Sequence, residues 1–358
     1  DANPGGGGNA GDLRWAITQA NAAGGTDTIA FNIGGGGAQT IALAAVLPAV
    51  TDAVNIDATT QPGYAGTPLI ELNGFNAGAN ANGLNITAGN SAVRGLVINR
   101  FDGWALRLET GDGNIIAGNY LNINGTGTAE RSVSAAGTTE GALILLGSSG
   151  NTIGGTTAQS RNVIAGQANS TFRVQIDDQG FGASGGNVIT GNYIGTDASG
   201  NIDLAVGAAS NIAVYDGTGN RIGGTTAAER NVISGAGNRG IFMRNAAVVD
   251  TVIQGNYIGV GADGLTALGN GSGIRIQQNV TGTLIGGATA GAGNIIANNG
   301  LVAGDNGVEI DNSAGAGTTI RGNTFYSNAG LGIDLGDNGV TLNNGLGGEA
   351  GVANGGMD

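Results

Sequence analysis

The chain has 358 residues and a net charge of −13, with 26 acidic residues against 13 basic ones, all of them Arg. Lys, His and Cys are absent, which removes disulfides, thiol chemistry, thiolate metal sites and any Lys or His base. An acidic chain without basic patches is a poor match for nucleic acid. No run of about 18 apolar residues is present to span a membrane, and 74 Gly with only 4 Pro and 40% hydrophobic residues fits neither disorder nor collagen.

Residues 1–10 read as a Gly-rich lead-in, and the start at Asp1, without Met or a leader, reads as a mature or excised segment. A helix is expected over Asp12–Asn21, with Asp12 as N-cap and Leu13, Ala16, Ile17 and Ala20 on one face. It would cover the open end of a β-solenoid. Thr28–Ile33 and Gln39–Leu47 read as strands that complete an N-terminal cap, residues 1–50. Ala53–Asp57 and Leu69–Leu72 begin the coils, which are expected to fill 51–342.

From there the chain repeats itself. A short strand with apolar residues at every second position recurs at Gly83–Ile86, Ala105–Leu108, Ala142–Leu145, Arg173–Ile176, Asn211–Val214, Gly240–Met243, Gly273–Ile276, Gly307–Ile310 and Gly332–Leu335. Two further motifs alternate with it. One is Asn220-Arg-Ile-Gly-Gly-Thr-Thr-Ala-Ala-Glu-Arg-Asn-Val-Ile-Ser-Gly235, with copies at Asn151–Gly166 and Thr283–Asn298. The other is Asn187-Val-Ile-Thr-Gly-Asn-Tyr-Ile-Gly195, repeated at Thr251–Gly259 and more briefly at Asn114–Leu121 and Thr318–Phe325. Self-similarity at a fixed period signals a solenoid. The spacing predicts a parallel β-helix of three strands per coil and about nine or ten coils, roughly 45 Å long. Loop insertions are expected at 125–140, 196–210 and 260–272, and a C-terminal tail over 343–358. Gly and Asn suit the corners, where φ > 0 is needed, and stacked Asn amides can bond from coil to coil.

The segments Gly11-Asp-Leu-Arg-Trp-Ala-Ile17 and Ala20–Phe31, the Ile-Gly-Gly-Thr-Thr and Arg-Asn-Val-Ile-Ser-Gly units, and Gly330–Thr341 resemble the CSLREAI-type bacterial secreted right-handed β-helix repeat proteins. The resemblance covers nearly the whole chain and departs at Gly11 and Trp15, where that family's motif has Cys and Glu. It implies a right-handed parallel β-helix in a large exported, adhesin-like surface protein, extracellular or on the cell surface. It brings no established catalytic residues.

Alternation on the first strand places Gln175, Tyr215, Phe242, Arg275, Gln277, Glu309 and Asp334 outward, as a candidate strip for polysaccharide or cell-surface glycan. The same residues also suit a solvated face with cross-coil pairs such as Arg275–Glu309. Asp177, Asp178, Arg244 and Asp311 are the candidate catalytic residues. Asp197, Asn201 and Asp203 surround a Gly with faint likeness to a Ca²⁺ loop, though the closing Glu is missing. Tyr120, Tyr193 and Tyr257 share one repeat position and are expected to pack. The composition and the resemblance point to a non-catalytic structural or adhesive module; a separate expectation, from the lack of an evident cap on the C-terminal coil, is self-association. The alternative is a polysaccharide-active enzyme, a lyase or an inverting glycoside hydrolase, working with carboxylates and Arg on the first-strand face.

Overall fold

The computed structural model describes residues 8–131, 140–166, 170–204, 210–301 and 304–340. The tail 343–358 and parts of the first two expected insertions lie outside them.

Three parallel sheets, of nine, ten and ten strands, run side by side along the chain. Each coil adds one strand to each sheet, so the chain winds as a parallel β-helix of ten coils. In the first coil the nine-stranded sheet is represented only by the bridge Val50–Ile86. The coils begin at Asp27–Ala30, which pairs in register with Val54–Asp57. The two strands assigned to the cap are therefore the first coil itself.

Only the helix Leu13–Ala22 stands outside the coils among the described residues. Leu13, Ile17 and Ala20 are buried, and Arg14 is pinned by its guanidinium to the carbonyls of Val46 and Ala45. Asp12 occupies the N-cap position, but its carboxylate accepts from Asn9 N rather than from the helix. The helix packs on Asp27–Ala30 and covers the end of the core.

Inside, like residues stack on like. The second sheet sends inward Ile29, Ile56, Val93, Ile116, Ile153 and Ile189, continued by Ile222, Ile253 and Ile285. Each fully buried side chain of this size contributes about 1.5–3 kcal/mol. At the corner before the third sheet, Asn119, Asn162, Asn192, Asn231, Asn256, Asn294 and Asn323 form a ladder, each Nδ2 donating to the next Oδ1 at 2.8–3.2 Å. The corner is thereby closed without leaving buried polar groups unpaired.

The loop alternation also has a structural meaning. The fourth, sixth and eighth coils each carry a hairpin after the third strand, bridged at Ile123–Glu130, Thr196–Asp203 and Val260–Ala267. The hairpins stack on each other through Ala198 N to Gly127 O (2.8 Å) and Ala262 N to Gly200 O (2.9 Å). They lie over Tyr120, Tyr193 and Tyr257, the three tyrosines of the repeat. Arg161 and Arg230 stack on Tyr193 and Tyr257 at 4.2 and 4.1 Å, while their Nε atoms donate to the Gly191 and Gly255 carbonyls. These tyrosines and arginines are packing elements. The next carbonyl in the hairpin series, Gly264 O, accepts from Tyr326 OH at 3.2 Å, which closes the column.

Candidate functional site

The first sheet presents two parallel rows of outward side chains. Strand register aligns Gln175, Ala213, Phe242, Arg275, Glu309 and Asp334. Two residues further along each strand come Asp177, Tyr215, Arg244, Gln277 and Asp311. These rows run along the rod because each coil supplies one residue per row.

One half of the face is aromatic and cationic. Tyr215 packs edge-on between Phe172 and Phe242, with ring centroids at 5.3 and 5.8 Å and interplanar angles of 87°. The Arg244 guanidinium lies 4.0 Å from the Tyr215 centroid, and that of Arg239 lies 4.6 Å from Phe242. Neither arginine makes an ion pair among the described residues. Burial pushes the Tyr215 hydroxyl up to about 12, so it stays a donor at neutral pH. Burial, reinforced by the neighbouring Arg275, lowers Arg239.

The other half is a knot of acids around one cation. Arg275 reaches Glu309 at 3.3 Å, Asp311 at 3.1 Å and Asp337 at 2.6 Å. Glu309 is 2% exposed and accepts from Ser272 Oγ at 2.6 Å. Burial raises its carboxyl, opposed by Ser272 and Arg275. In Asp311 burial is outweighed by hydrogen bonds from Ser313 and by Arg275, and the carboxyl is lowered. The strand thus carries, two residues apart, one carboxyl pushed up and one pushed down, the pattern that separates acid and base roles. Asp334 is buried and accepts from Asn306 Nδ2 and Gly339 N.

Several expectations change here. Asp177 and Asp311 lie four strands apart in the second row, about 19 Å at the usual strand spacing. Asp177 accepts from Gln175, and Asp178 belongs to the turn that follows, its carbonyl accepting from Phe181 N. Asp197, Asn201 and Asp203 do not converge. Asp197 accepts from Ser199 and Ile202 N, and Asn201 accepts from Asp263 N. Asp203 faces the Gly235 corner, where burial raises its carboxyl near Arg173. Phe172, Arg239, Ser272 and Asp337 are members of the cluster that alternation did not reveal. In each first strand two consecutive residues, Gly240-Ile241 or Gly273-Ile274, face the interior at the corner. A Cβ on Gly240 would meet Asn270 Nδ2 at 3.0 Å and Ile258 Cγ2 at 3.1 Å. This breaks the period of two and returns Arg239 and Ser272 to the outer face. The glycine before the inward Ile at Gly240-Ile241 and Gly273-Ile274 was the available signal.

No family model matches the chain, and no curated protein matches it. Among solved structures it is similar to a PL6 alginate lyase in complex with a trisaccharide, at 16% identity and a TM-score of 0.38, over 85% of this chain but only 62% of that one. It is also similar to the A-modules of two Azotobacter vinelandii mannuronan C-5 epimerases. The AlgE6 module is 15% identical with a TM-score of 0.37, covering 90% of this chain and 93% of that one. The AlgE4 module is 14% identical with a TM-score of 0.33, covering 90% and 91%.

The expectation of a non-catalytic structural or adhesive module is corrected at this point. A solvated strip of such a module would leave its side chains in water. Here Gln175, Tyr215, Phe242, Glu309 and Asp334 are all buried.

Proposed function

We propose that the protein is a polysaccharide-active enzyme whose substrate, an acidic polysaccharide, lies along the two rows of the first sheet. The observation that carries this reading is the free guanidinium pair. In a chain of net charge −13, Arg239 and Arg244 are held on aromatic rings with no ion pair among the described residues. Their buried Nε atoms are unpartnered, unlike those of the stacked Arg161 and Arg230, which donate to carbonyls. Glu309 and Asp305 act on Arg239 only at longer range, while Arg275 close by has three ion pairs. Cations kept unpaired and half-buried are poised for an external anion.

A sugar carboxylate supplies that anion, and the aromatic rings supply apolar contact for the sugar. Between the two reactions open to such a face, the arginine pair favours elimination. Neutralising a uronate carboxylate acidifies the adjacent C5–H bond, whereas hydrolysis gains nothing from it. In that reaction Glu309, a stronger base than an ordinary carboxylate, takes the C5 proton. The C4–O bond breaks, a C4–C5 double bond forms, and the departing oxygen takes its proton from solvent water, since Tyr215 stands three strands from Glu309, about 14 Å at the usual strand spacing, and serves the sugar as a contact. Incubation with acidic polysaccharides, following both ultraviolet absorbance of unsaturated ends and new reducing ends, tests it. Both signals together support elimination, reducing ends alone would assign hydrolysis, and silence on every acidic polymer overturns the reading.

A further inference from the structure

The cationic patch is short, and acids close it on both sides. Tyr215 and Arg244 occupy two adjacent strands of the second row, with Arg239 beside Phe242 on the second of them. One strand before Tyr215 stands Asp177, whose charge opposes ionisation of the Tyr215 hydroxyl. Beyond Arg244 come the carboxylates of Asp311, Asp334 and Asp337, whereas Glu309 lies on the Arg239 side, bonded to Ser272, which is in register with Arg239. Arg275 offsets only part of that negative charge, since three carboxylates share its single guanidinium. The attractive stretch is about two strand spacings, on the order of 10 Å. Like charges brought against the flanking acids are repelled, most strongly where side chains are half-buried.

We infer that the site takes one acidic sugar at a time, set between uncharged sugars, so that the substrate is a heteropolysaccharide with isolated uronates and not a polymer charged on every residue. This rests on the reading of the face as an acidic-polysaccharide site. The anionic sugar sits over Arg239 and Arg244. Its neighbours on either side lie against Asp177 and against the Asp311–Asp337 cluster, where hydroxyl groups can donate to the carboxylates and a second carboxylate cannot approach.

The test compares hyaluronan, charged on alternate sugars, with polygalacturonate, charged on all, in the purified full chain at low and at moderate salt. Hyaluronan should be cleaved with kcat/KM at least about tenfold higher, and salt should narrow the ratio because screening weakens the repulsion. Asp177→Asn and Asp337→Asn should each raise activity on polygalacturonate about fivefold relative to hyaluronan, the effect of removing one close like charge. Equal or better cleavage of polygalacturonate, with a ratio that neither salt nor the variants move, overturns the inference and leaves the acidic-polysaccharide reading standing. No cleavage or binding of either polymer overturns both. Circular dichroism and melting of each variant separate a lost fold from a changed preference.

Discussion

The Arg244 guanidinium rests 4.0 Å from the centre of the Tyr215 ring, and among the described residues it faces no carboxylate. Its charge is therefore unspent in the free protein, and its removal should be felt by the substrate more than by the fold. Arg244→Ala should lower kcat/KM on an acidic polysaccharide by about 10- to 100-fold, the range for one lost charge-assisted hydrogen bond. Arg244→Lys should recover little, because an ammonium lacks the planar fork that both stacks on Tyr215 and grips a carboxylate. Steady-state kinetics of the three proteins decide this, and an unchanged kcat/KM in the Ala variant would remove Arg244 from the site.

Glu309 predicts a pH dependence with a defined sign. Its carboxyl is raised from the ordinary 4.5 by burial, so the fold prefers the protonated form. The associated stability is complete below the unfolded value and is lost as pH rises through the folded one. Glu309→Gln should therefore gain stability relative to the parent as pH rises above 4.5, in thermal melts taken across that window. Catalysis runs the other way. A base must be ionised, so kcat/KM should climb as pH passes the raised value, and the Gln variant should be inactive throughout.

Ser272 tunes that same carboxyl. Its hydroxyl donates to Glu309 Oε1 at 2.6 Å and favours the ionised form. Ser272→Ala should raise the Glu309 value further and move the acid limb of the pH–rate profile upward, with little change in activity at the alkaline end. A limb that stays in place would show that Glu309 is not the group titrating in catalysis.

Much of this was readable from the residues alone, and the reason lies in repetition. Coils that stack their side chains must keep the same residue type at the same place, so the inward Ile columns, the Asn corners and the alternating loops were all visible as spacing. Tyr215, Phe242, Arg275, Glu309 and Asp334 fell on one face by counting. What counting could not supply was any feature tied to one coil. Arg173 begins a first strand like the others. Yet it is fully buried, its Nη1 donating to Asn211 Oδ1 at 2.7 Å, and burial brings its pKa down to about 10. Arg239 and Ser272 were hidden by the corner that breaks the alternation. The partners of Arg275 come from the next strand, which carries both Glu309 and Asp311, and from the turn at Asp337 one coil further on, a set that no local pattern announces.

The stacked hairpins place a strict demand on one glycine in each. Gly200 has φ +73°, and a Cβ there would stand 2.7 Å from Ala262 Cβ and 2.8 Å from the Tyr193 ring. Gly200→Ala meets both a left-handed backbone and a clash with two layers of the stack. The cost should be about 2–4 kcal/mol. Melting should show it, and limited proteolysis should cut first within 196–203, since the loosened hairpin is the outermost layer over Tyr193.

The Asn ladder allows the sharpest stability test. Asn231 accepts from Asn192 N at 2.9 Å and Nδ2 at 3.1 Å, and it donates to Ile189 O and Asn256 Oδ1, both at 2.9 Å. Asn231→Ala leaves donors and acceptors without partners in a fully buried corner, at a cost of about 3 kcal/mol or more. Asn231→Asp keeps the acceptor and loses both donations. Its ionised carboxylate would face the Ile189 carbonyl and Asn256 Oδ1 in the absence of water, whereas its protonated form can restore one donation. The folded state should therefore raise the pKa of the new carboxyl, and the stability of this variant should fall as pH rises through that value. Melts of the Asp variant should approach those of the parent at acid pH and drop well below them at neutral pH, while the Ala variant should show a deficit that pH does not change. An Asp variant equally stable at both would mean that the ladder tolerates a charge, and that its amides serve as spacers rather than as paired donors and acceptors.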